Sequence, residues 1–269
     1  MNFGWIPDYP DARDYTRKTV EISSLLKTAK PSVKVDLRKY CSPIVNQGNL
    51  GSCTANAASG IVEYFQKKSF GSYSSVSRLF IYKATRDLMK SKGDTGAYIR
   101  TTMGALALFG VPPEKYCEYN TGDFDSEPEA FCYSFAQNYQ ALKYFRLDEQ
   151  GKTEAQILQG IRETISSEIP AMFGFTVYSS IREAKGGMIP FPEKTDTVLG
   201  GHAVVAVGYD DNLKIGKSTG AFIIRNSWGE EWGERGYGYL PYDYVLKGLA
   251  LDWWALIKAE WMETGQFGV

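Results

Sequence analysis

The sequence predicts an α+β protein with a helix-rich first half and a strand-rich second half. Before about residue 138, apolar residues recur at helical spacing; after it, short apolar runs alternate with turn-forming residues. With 269 residues, 43% of them hydrophobic, the chain can form one large domain or two small ones that share a core. We expect an N-terminal arm at 1–32, a helical half at 33–137 and a β-rich half at 138–269, with a cleft between the halves.

Each predicted element rests on its own local pattern. The first helix starts after Ser52, a residue type favoured at helix N-caps, and two further helical patterns, 74–93 and 98–110, each end at a glycine. In the second half one helical pattern covers residues 154–167. The remaining segments are typical of strands: 143–147, 170–178, 201–209, 221–227 and 237–242.

The charge balance and the hydropathy exclude several classes of partner. Thirty basic and 31 acidic residues give a net charge of −1, so no basic face for nucleic acid is predicted. No apolar run approaches the roughly 18 residues that a membrane span needs, so a membrane is not an expected partner. The first 18 residues also lack the apolar central region of a secretory signal, which leaves the cellular location open.

The chain has one histidine and four cysteines, and these counts limit the chemistry. A zinc site built from several imidazoles is excluded, and any catalytic imidazole must belong to His202. Four cysteines are few for a disulfide scaffold of this length. If Cys53 stays free, at most one bridge can form among the other three: Cys41, Cys117 and Cys132.

Cys53 is a candidate nucleophile because it would lie in the first turn of the helix that follows Ser52. Unpaired backbone N–H groups and the positive end of the helix dipole favour a thiolate there. Gly48 and Gly51 would let a substrate backbone approach closely. The alternative interpretation is a small structural thiol packed in the core.

His202 and Asn226 are predicted to face each other across a β-hairpin. If strands 201–208 and 220–226 pair around a symmetric loop at 209–219, the two residues are direct partners, with Cβ atoms about 4.5–5.5 Å apart. The amide oxygen of Asn226 could then accept from one ring N–H and direct the other nitrogen at a thiol. A lone histidine with a satisfied side chain at a strand end is the alternative.

Three segments resemble the signature blocks of the papain family of cysteine peptidases, in the order found in that family. They are residues 47–53 (QGNLGSC), 201–204 (GHAV) and 226–237 (NSWGEEWGERGY), and the resemblance extends from about Val35 to Tyr239. It implies a papain-like fold with a helical N-terminal half, a β-barrel-like C-terminal half and the active-site cleft between them. It also implies the catalytic residues Cys53, His202, Asn226 and Gln47.

The resemblance assigns roles to the remaining candidates. Gln47 and the backbone N–H of Cys53 would stabilise the oxyanion, and Trp228 would cover the Asn–His hydrogen bond and contribute to the cleft. The positions matching the family's substrate-binding segments are Gly51, Ser52, Gly96, Ala97 and Gly201. The chain departs from the family at Leu50, where a cysteine is usual, and at Thr54, where an aromatic is usual.

The implied activity is hydrolysis of peptide bonds in a peptide or protein substrate through a thioester acyl-enzyme, with no metal or organic cofactor. The alternatives are a papain-fold acyltransferase or deamidase, and a catalytically silent peptide-binding homologue. The long helical pro-domain common in the family is missing, and about 32 residues cannot form an independent inhibitory domain. We hypothesise that the arm around 5–15 lies in or near the cleft.

Overall fold

A computed structural model describes residues 3–23, 31–137 and 143–257 of the chain. Seven α-helices lie in these ranges: α1 (Val20–Ser23), α2 (Cys53–Phe70), α3 (Arg78–Leu88), α4 (Ile99–Phe109), α5 (Ala130–Ala136), α6 (Glu154–Ser166) and α7 (Asp243–Leu246). The strands are β1 (Trp5–Ile6), β2 (Lys34–Asp36), β3 (Ala97–Tyr98), β4 (Lys143–Arg146), β5 (Ala171–Tyr178), β6 (Val198–Ile215), β7 (Ser218–Arg225), β8 (Tyr237–Pro241) and β9 (Ala250–Ile257). No helix in these ranges is both long and apolar enough to cross a membrane.

Helix α2 is the central element, because it packs against the sheet through β6 and against α3 and α4. Its first 14 residues are all buried, so it is covered on every side rather than on one face. Small residues permit this close approach; at Gly60, a Cβ atom would lie 2.8 Å from the guanidinium of Arg225. The helix ends at Gly71, which adopts the left-handed conformation common at helix C-termini.

The second half forms one seven-stranded sheet. Its order is β4-β9-β5-β6-β7-β8, and β2 adds to the far end of β6; every pair in this sheet is antiparallel. The predicted α+β class is confirmed, although the sheet is open where a barrel-like one was expected: its terminal strands, β4 and β8, do not pair with each other. The boundaries at 32/33 and 137/138 stay predictions, and residues 24–30 and 138–142 lie outside the described ranges.

The predicted hairpin exists, but its register was wrong. Strands β6 and β7 continue to a tight turn at Gly216 and Lys217, so 209–219 is not a loop. The ladder starts at Val205 opposite Arg225, and register shifts along it move the pairing further from the symmetric one. Those bulges accommodate extra residues on β6. His202 pairs with Phe175 of β5, and within the described residues it has no ladder partner on β7.

The arm contributes a strand of its own. Strand β1 pairs in parallel with β3, with Trp5 opposite Ala97 and Ile6 opposite Tyr98. The arm then crosses to the sheet, where the backbone N–H of Arg146 donates to the carbonyl oxygen of Tyr15 at 2.7 Å. The start of the chain is thus held between the helical half and the sheet, where the cleft was predicted.

Candidate active site

Cys53 is the first residue of α2 and is completely buried. Its sulfur receives hydrogen bonds from backbone N–H groups at the helix start, from Ala203 and from Gly4 of the arm. Ser52 directly precedes the helix as predicted, but its side chain does not cap it. The Ser52 hydroxyl instead lies 2.6 Å from the phenol oxygen of Tyr119.

Burial controls the ionisation of this thiol. Removal from water raises the pKa of Cys53 from 9.0 to about 11, because desolvation outweighs the backbone N–H groups that stabilise the anion. Burial therefore disfavours the expected thiolate for as long as the arm covers the sulfur. The helix dipole acts in the predicted direction but is smaller than the cost of burying a charge.

His202 and Asn226 meet through their side chains, although they are not ladder partners. Nε2 of His202 lies 2.8 Å from Oδ1 of Asn226. The backbone N–H of Ser227 also donates to that Oδ1 at 2.8 Å, which identifies the atom as the amide oxygen. Because an oxygen only accepts, Nε2 carries the ring proton and Nδ1 presents a lone pair.

The imidazole is fully buried and electrically neutral. Desolvation lowers the pKa of His202 to about 4, although its hydrogen bond with Asn226 acts in the opposite direction. Nδ1 has no hydrogen-bond partner among the described residues. The next residue, Ala203, donates its backbone N–H to the sulfur of Cys53. The residue that contacts the buried thiol is thus the direct neighbour of His202 in the chain.

An aromatic group covers the His–Asn pair. The ring of Trp228 stacks on the imidazole with centroids 4.4 Å apart and planes 20° from parallel. Trp232 supports Trp228 edge-on at 5.2 Å. Such a cover keeps water from the hydrogen bond between His202 and Asn226 and so strengthens it.

Gln47 is fully buried beside the start of α2. Its amide nitrogen donates to the carbonyl of Leu50 at 2.9 Å, and its amide oxygen accepts from the hydroxyl of Ser227 at 2.6 Å. The loop before the helix is thereby tied to the residue that follows Asn226. Tyr119 adds a second tie, because its phenol donates to the Gln47 carbonyl at 2.9 Å and contacts Ser52.

The arm lies directly over these groups. Phe3 packs edge-on against both His202 and Trp228, with centroid distances of 6.4 and 6.3 Å. Gly4 lies so close to Gly51 that a Cβ atom on Gly4 would overlap the Gly51 carbonyl. The hypothesised range of 5–15 was partly misplaced: residues 3–6 cover the site, whereas Tyr9 and Tyr15 are exposed.

The remaining predicted substrate-binding residues all contact the arm. The backbone N–H of Ala97 donates to the carbonyl of Gly4 at 2.7 Å. Gly96 has a φ of +74°, and a Cβ there would overlap the same carbonyl. At Gly201 a Cβ would lie 2.8 Å from the indole of Trp5. Ala97 stands where the family usually has a second glycine, and β3 still pairs with β1 at this position.

Sequence reasoning missed three supporting residues. Tyr119 holds Ser52 and Gln47; Asp94 accepts from the backbone N–H of Gly51 at 2.9 Å; Asp252 accepts from the indole of Trp5 at 3.1 Å. Only Asp252 left a signal in the sequence, as a lone carboxylate within an apolar segment. The contacts of Tyr119 and Asp94 depend on loops that meet only in the folded chain.

All four cysteines are unbridged. Leu50 occupies the position where the family usually has a cysteine. Its side chain is buried, and it lies in the same loop as Gln47. Within the described ranges no group of three or more His, Cys, Asp or Glu side chains could hold a metal ion.

Comparisons with known proteins agree with this arrangement. A sequence model of the papain family cysteine proteases matches residues 31–246. An uncharacterized peptidase C1-like protein of Acanthamoeba polyphaga mimivirus is 35% identical over 95% of this chain and 86% of its own length. Cathepsin K of Mus musculus is 25% identical over 86% of this chain, a match that covers 65% of the mouse protein.

Solved structures give the same result. Xylellain, a cysteine protease from Xylella fastidiosa, superimposes with a TM-score of 0.79 at 34% identity over 96% of both chains. Digestive procathepsin L 3 of Tenebrio molitor shares the fold, with a TM-score of 0.64 at 20% identity over 85% of this chain and 70% of the other. The chain belongs to the papain family of cysteine proteases and is a papain-like cysteine peptidase.

Proposed function

We propose that this peptidase hydrolyses peptide bonds through Cys53, His202 and Asn226, with a thioester acyl-enzyme as intermediate. The observation that carries the proposal is the hydrogen bond of 2.8 Å between His202 Nε2 and Asn226 Oδ1. It leaves Nδ1 as the basic nitrogen, and the backbone of the following residue, Ala203, contacts the Cys53 sulfur. Asn226 stays neutral and holds the ring in this tautomer.

Acylation starts when the thiol proton passes to Nδ1 of His202. The sulfur of Cys53 then attacks the peptide carbonyl carbon, and the carbonyl oxygen becomes an oxyanion. The Cys53 backbone N–H and the Gln47 side-chain amide are the proposed donors to that charge. The C–N bond breaks as His202 returns the proton to the departing amine, which leaves a thioester on Cys53.

Deacylation uses the same base. Nδ1 of His202 removes a proton from water, and the hydroxide formed attacks the thioester carbonyl. The C–S bond breaks, the carboxylic acid leaves, and the sulfur takes up a proton again. The stack of Trp228 on the imidazole keeps the orientation of the ring through both halves of the cycle.

We further propose that the arm keeps the enzyme latent. With residues 3–6 over the site, the Cys53 thiol and the His202 imidazole are both buried and both neutral. Departure of the arm would admit water, so the penalty for forming the thiolate–imidazolium pair would fall. The active enzyme is therefore the form in which this segment has left the cleft.

The Gly4–Trp5 peptide bond of the arm is not presented to the oxyanion donors. The arm offers its Gly4 N–H group to the sulfur, and the Gly4 carbonyl instead accepts from Ala97 at 2.7 Å. A nucleophile needs a carbonyl carbon whose oxygen points at the oxyanion donors. The Gly4–Trp5 bond is therefore not positioned for attack, which fits an arm that blocks the site.

Hydrolysis in ¹⁸O-labelled water, followed by mass spectrometry of the fragments, tests the proposed reaction. A peptidase incorporates one ¹⁸O into each new C-terminal carboxylate. An acyltransferase would instead join the fragment to an added amine, a deamidase would change glutamine side chains without breaking the chain, and a silent homologue would leave the peptide intact. Any of these three results contradicts the proposal.

Gln47→Ala should lower kcat about 10²–10³-fold and change KM little, because an oxyanion donor acts mainly in the transition state. Initial rates on a fluorogenic peptide give both constants. The matched control is Gln159→Ala on the exposed face of α6, which should leave both unchanged. An unchanged kcat in Gln47→Ala would remove Gln47 from the mechanism.

Arg100→Gln should raise the activity of the full chain about 2- to 10-fold by loosening the arm. The guanidinium of Arg100 binds the arm through Asp8 at 2.7 Å, Asp14 at 2.9 Å and the Tyr9 carbonyl at 2.7 Å. Each pair is partly exposed, so each contributes only up to about 1 kcal/mol. Arg13→Gln is the control, since Arg13 pairs with Asp11 within the arm. Equal rates for the two variants would show that these ion pairs do not hold the arm.

A further inference from the structure

A deep pocket beside the reactive sulfur is filled by one side chain of the arm, the indole of Trp5. Trp5 directly follows Gly4, whose N–H contacts the sulfur, and only 6% of Trp5 is exposed. Glycines form its walls: a Cβ on Gly174 would overlap the indole, and one on Gly201 would lie 2.8 Å from it. Because β5 and β6 have glycines at these positions, the space beside them is wide enough for the planar bicyclic ring of an indole.

The floor of the pocket is the carboxylate of Asp252, which is completely buried. Its Oδ2 accepts from the indole N–H of Trp5 at 3.1 Å, and its Oδ1 accepts from the indole N–H of Trp254 at 2.6 Å. Asp252 has a φ of +61°, a conformation that is costly for a residue with a side chain. The chain thus holds an acid in a strained position at the end of an apolar slot.

Burial raises the pKa of Asp252 to about 7, so near neutral pH its side chain carries only a partial charge, and Arg146 is its cationic neighbour. Arg146 lies 3.4 Å from Oδ1 of Asp252 and 2.9 Å from Asp148, and both ion pairs are buried. Departure of the arm removes only the donor to Oδ2. What then lacks a partner is one buried acceptor at the bottom of an apolar slot, and an uncharged N–H group satisfies it without adding a second cation.

We propose that the emptied pocket binds the indole of a tryptophan in the substrate, that Asp252 recognises its N–H, and that cleavage falls within two residues of that tryptophan. The inference rests on the proposed peptidase activity and adds a substrate preference to it. In the protein with its arm in place, Trp5 then occupies the position of the substrate side chain.

Phenylalanine, arginine and alanine side chains would each fit this pocket less well than tryptophan. Phenylalanine fills the slot but leaves Oδ2 without a donor, and a site built to hydrogen-bond its substrate rejects analogues that lack the donor. Arginine brings a second guanidinium close to Arg146. Alanine leaves most of the slot unfilled.

The test uses the full chain with Gly4→Ala, which displaces the arm. Four ten-residue peptides have a serine- and alanine-rich sequence and differ at one central position, occupied by Trp, Phe, Arg or Ala. We expect kcat/KM for the Trp peptide to exceed that for the Phe peptide about 10-fold, which corresponds to one buried hydrogen bond. Mass spectrometry should locate the cut within two residues of the tryptophan.

A second substitution, Gly174→Ala in the same Gly4→Ala chain, tests the shape of the pocket. The three atoms nearest to a Cβ at Gly174 all belong to the indole of Trp5, so the added methyl group would occupy the space of that ring. In this variant the ratio of the Trp-peptide rate to the Ala-peptide rate should fall at least about 10-fold, because the methyl group takes the space of the indole. An unchanged melting temperature shows that the variant is folded.

The outcomes separate the two proposals. Equal cleavage of the Trp and Phe peptides, or faster cleavage of the Arg peptide, would overturn the tryptophan preference and leave the peptidase activity standing. An unchanged ratio of Trp-peptide to Ala-peptide rates on Gly174→Ala would likewise overturn the pocket. If the folded protein cuts none of the four peptides, the proposed function itself is wrong, and the preference with it.

Discussion

Replacement of Cys53 by alanine should lower kcat/KM for peptide hydrolysis by about 10⁴- to 10⁶-fold, because the nucleophile that forms the thioester is removed. The loss should be the same in the full chain and in Gly4→Ala, since neither the base nor the oxyanion donors can attack a peptide alone. Steady-state rates on one fluorogenic peptide, corrected for background hydrolysis, measure it.

The matched control for Cys53→Ala is Cys117→Ala, another unbridged thiol in the helical half. Cys117 is only partly buried, and its carbonyl accepts from the hydroxyl of Ser77 at 2.6 Å, a contact that the substitution preserves. This variant should keep full activity. If Cys53→Ala keeps its activity while near-ultraviolet circular dichroism shows a native fold, Cys53 is not the nucleophile.

Gly4→Ala should raise the activity of the full chain about 10- to 100-fold. The added Cβ would overlap the carbonyl of Gly51 and lie 2.6 Å from its Cα, both backbone atoms that cannot move aside as a flexible side chain would. Overpacking of this kind costs about 1–3 kcal/mol, which shifts the equilibrium towards the open cleft. The initial rate of the untreated full chain on a small peptide is the measurement.

A melting temperature and a control variant complete this prediction. The melting temperature should fall slightly while activity rises, because the docked arm stabilises the folded chain like any ligand of the native state. Gly122→Ala should change neither quantity, because Gly122 lies in an exposed loop and a Cβ there would be 3.4 Å from the side chain of Asn120. A lower or unchanged rate for Gly4→Ala would mean that the arm does not block the site.

Local patterns were sufficient for the elements that carry the site. The helix after Ser52 begins at Cys53, and the strand that contains His202 and the one that ends before Asn226 both form. The pairing register was wrong because the polar residues at 210–214, which indicated a loop, lie on an extension of β6 that is largely not buried. Their polarity reflected partial exposure, and it was compatible with a strand.

Local sequence patterns could not predict the contact between the arm and the pocket. Trp5 and Asp252 are 247 positions apart, and the meaning of each depends on the other. A carboxylate between apolar residues of β9 signals a buried charge, but no spacing rule connects it to a tryptophan at the opposite end of the chain. The neutral state of Cys53 likewise follows from burial by Gly4 and its neighbours, an effect of packing that the position at a helix start does not reveal.

The central claim is that Cys53 becomes a reactive thiolate, supported by His202, only when the arm has left. Its most direct measurement is the pH dependence of iodoacetamide labelling between pH 4 and 11, with peptide mapping to separate the four thiols. In the full chain, labelling of Cys53 should stay slow until the pH approaches the pKa of about 11. In Gly4→Ala it should already be rapid below pH 7, and the further change His202→Ala should remove that acidic limb. Identical profiles in the full chain and in Gly4→Ala, or a limb that survives without His202, would contradict the account.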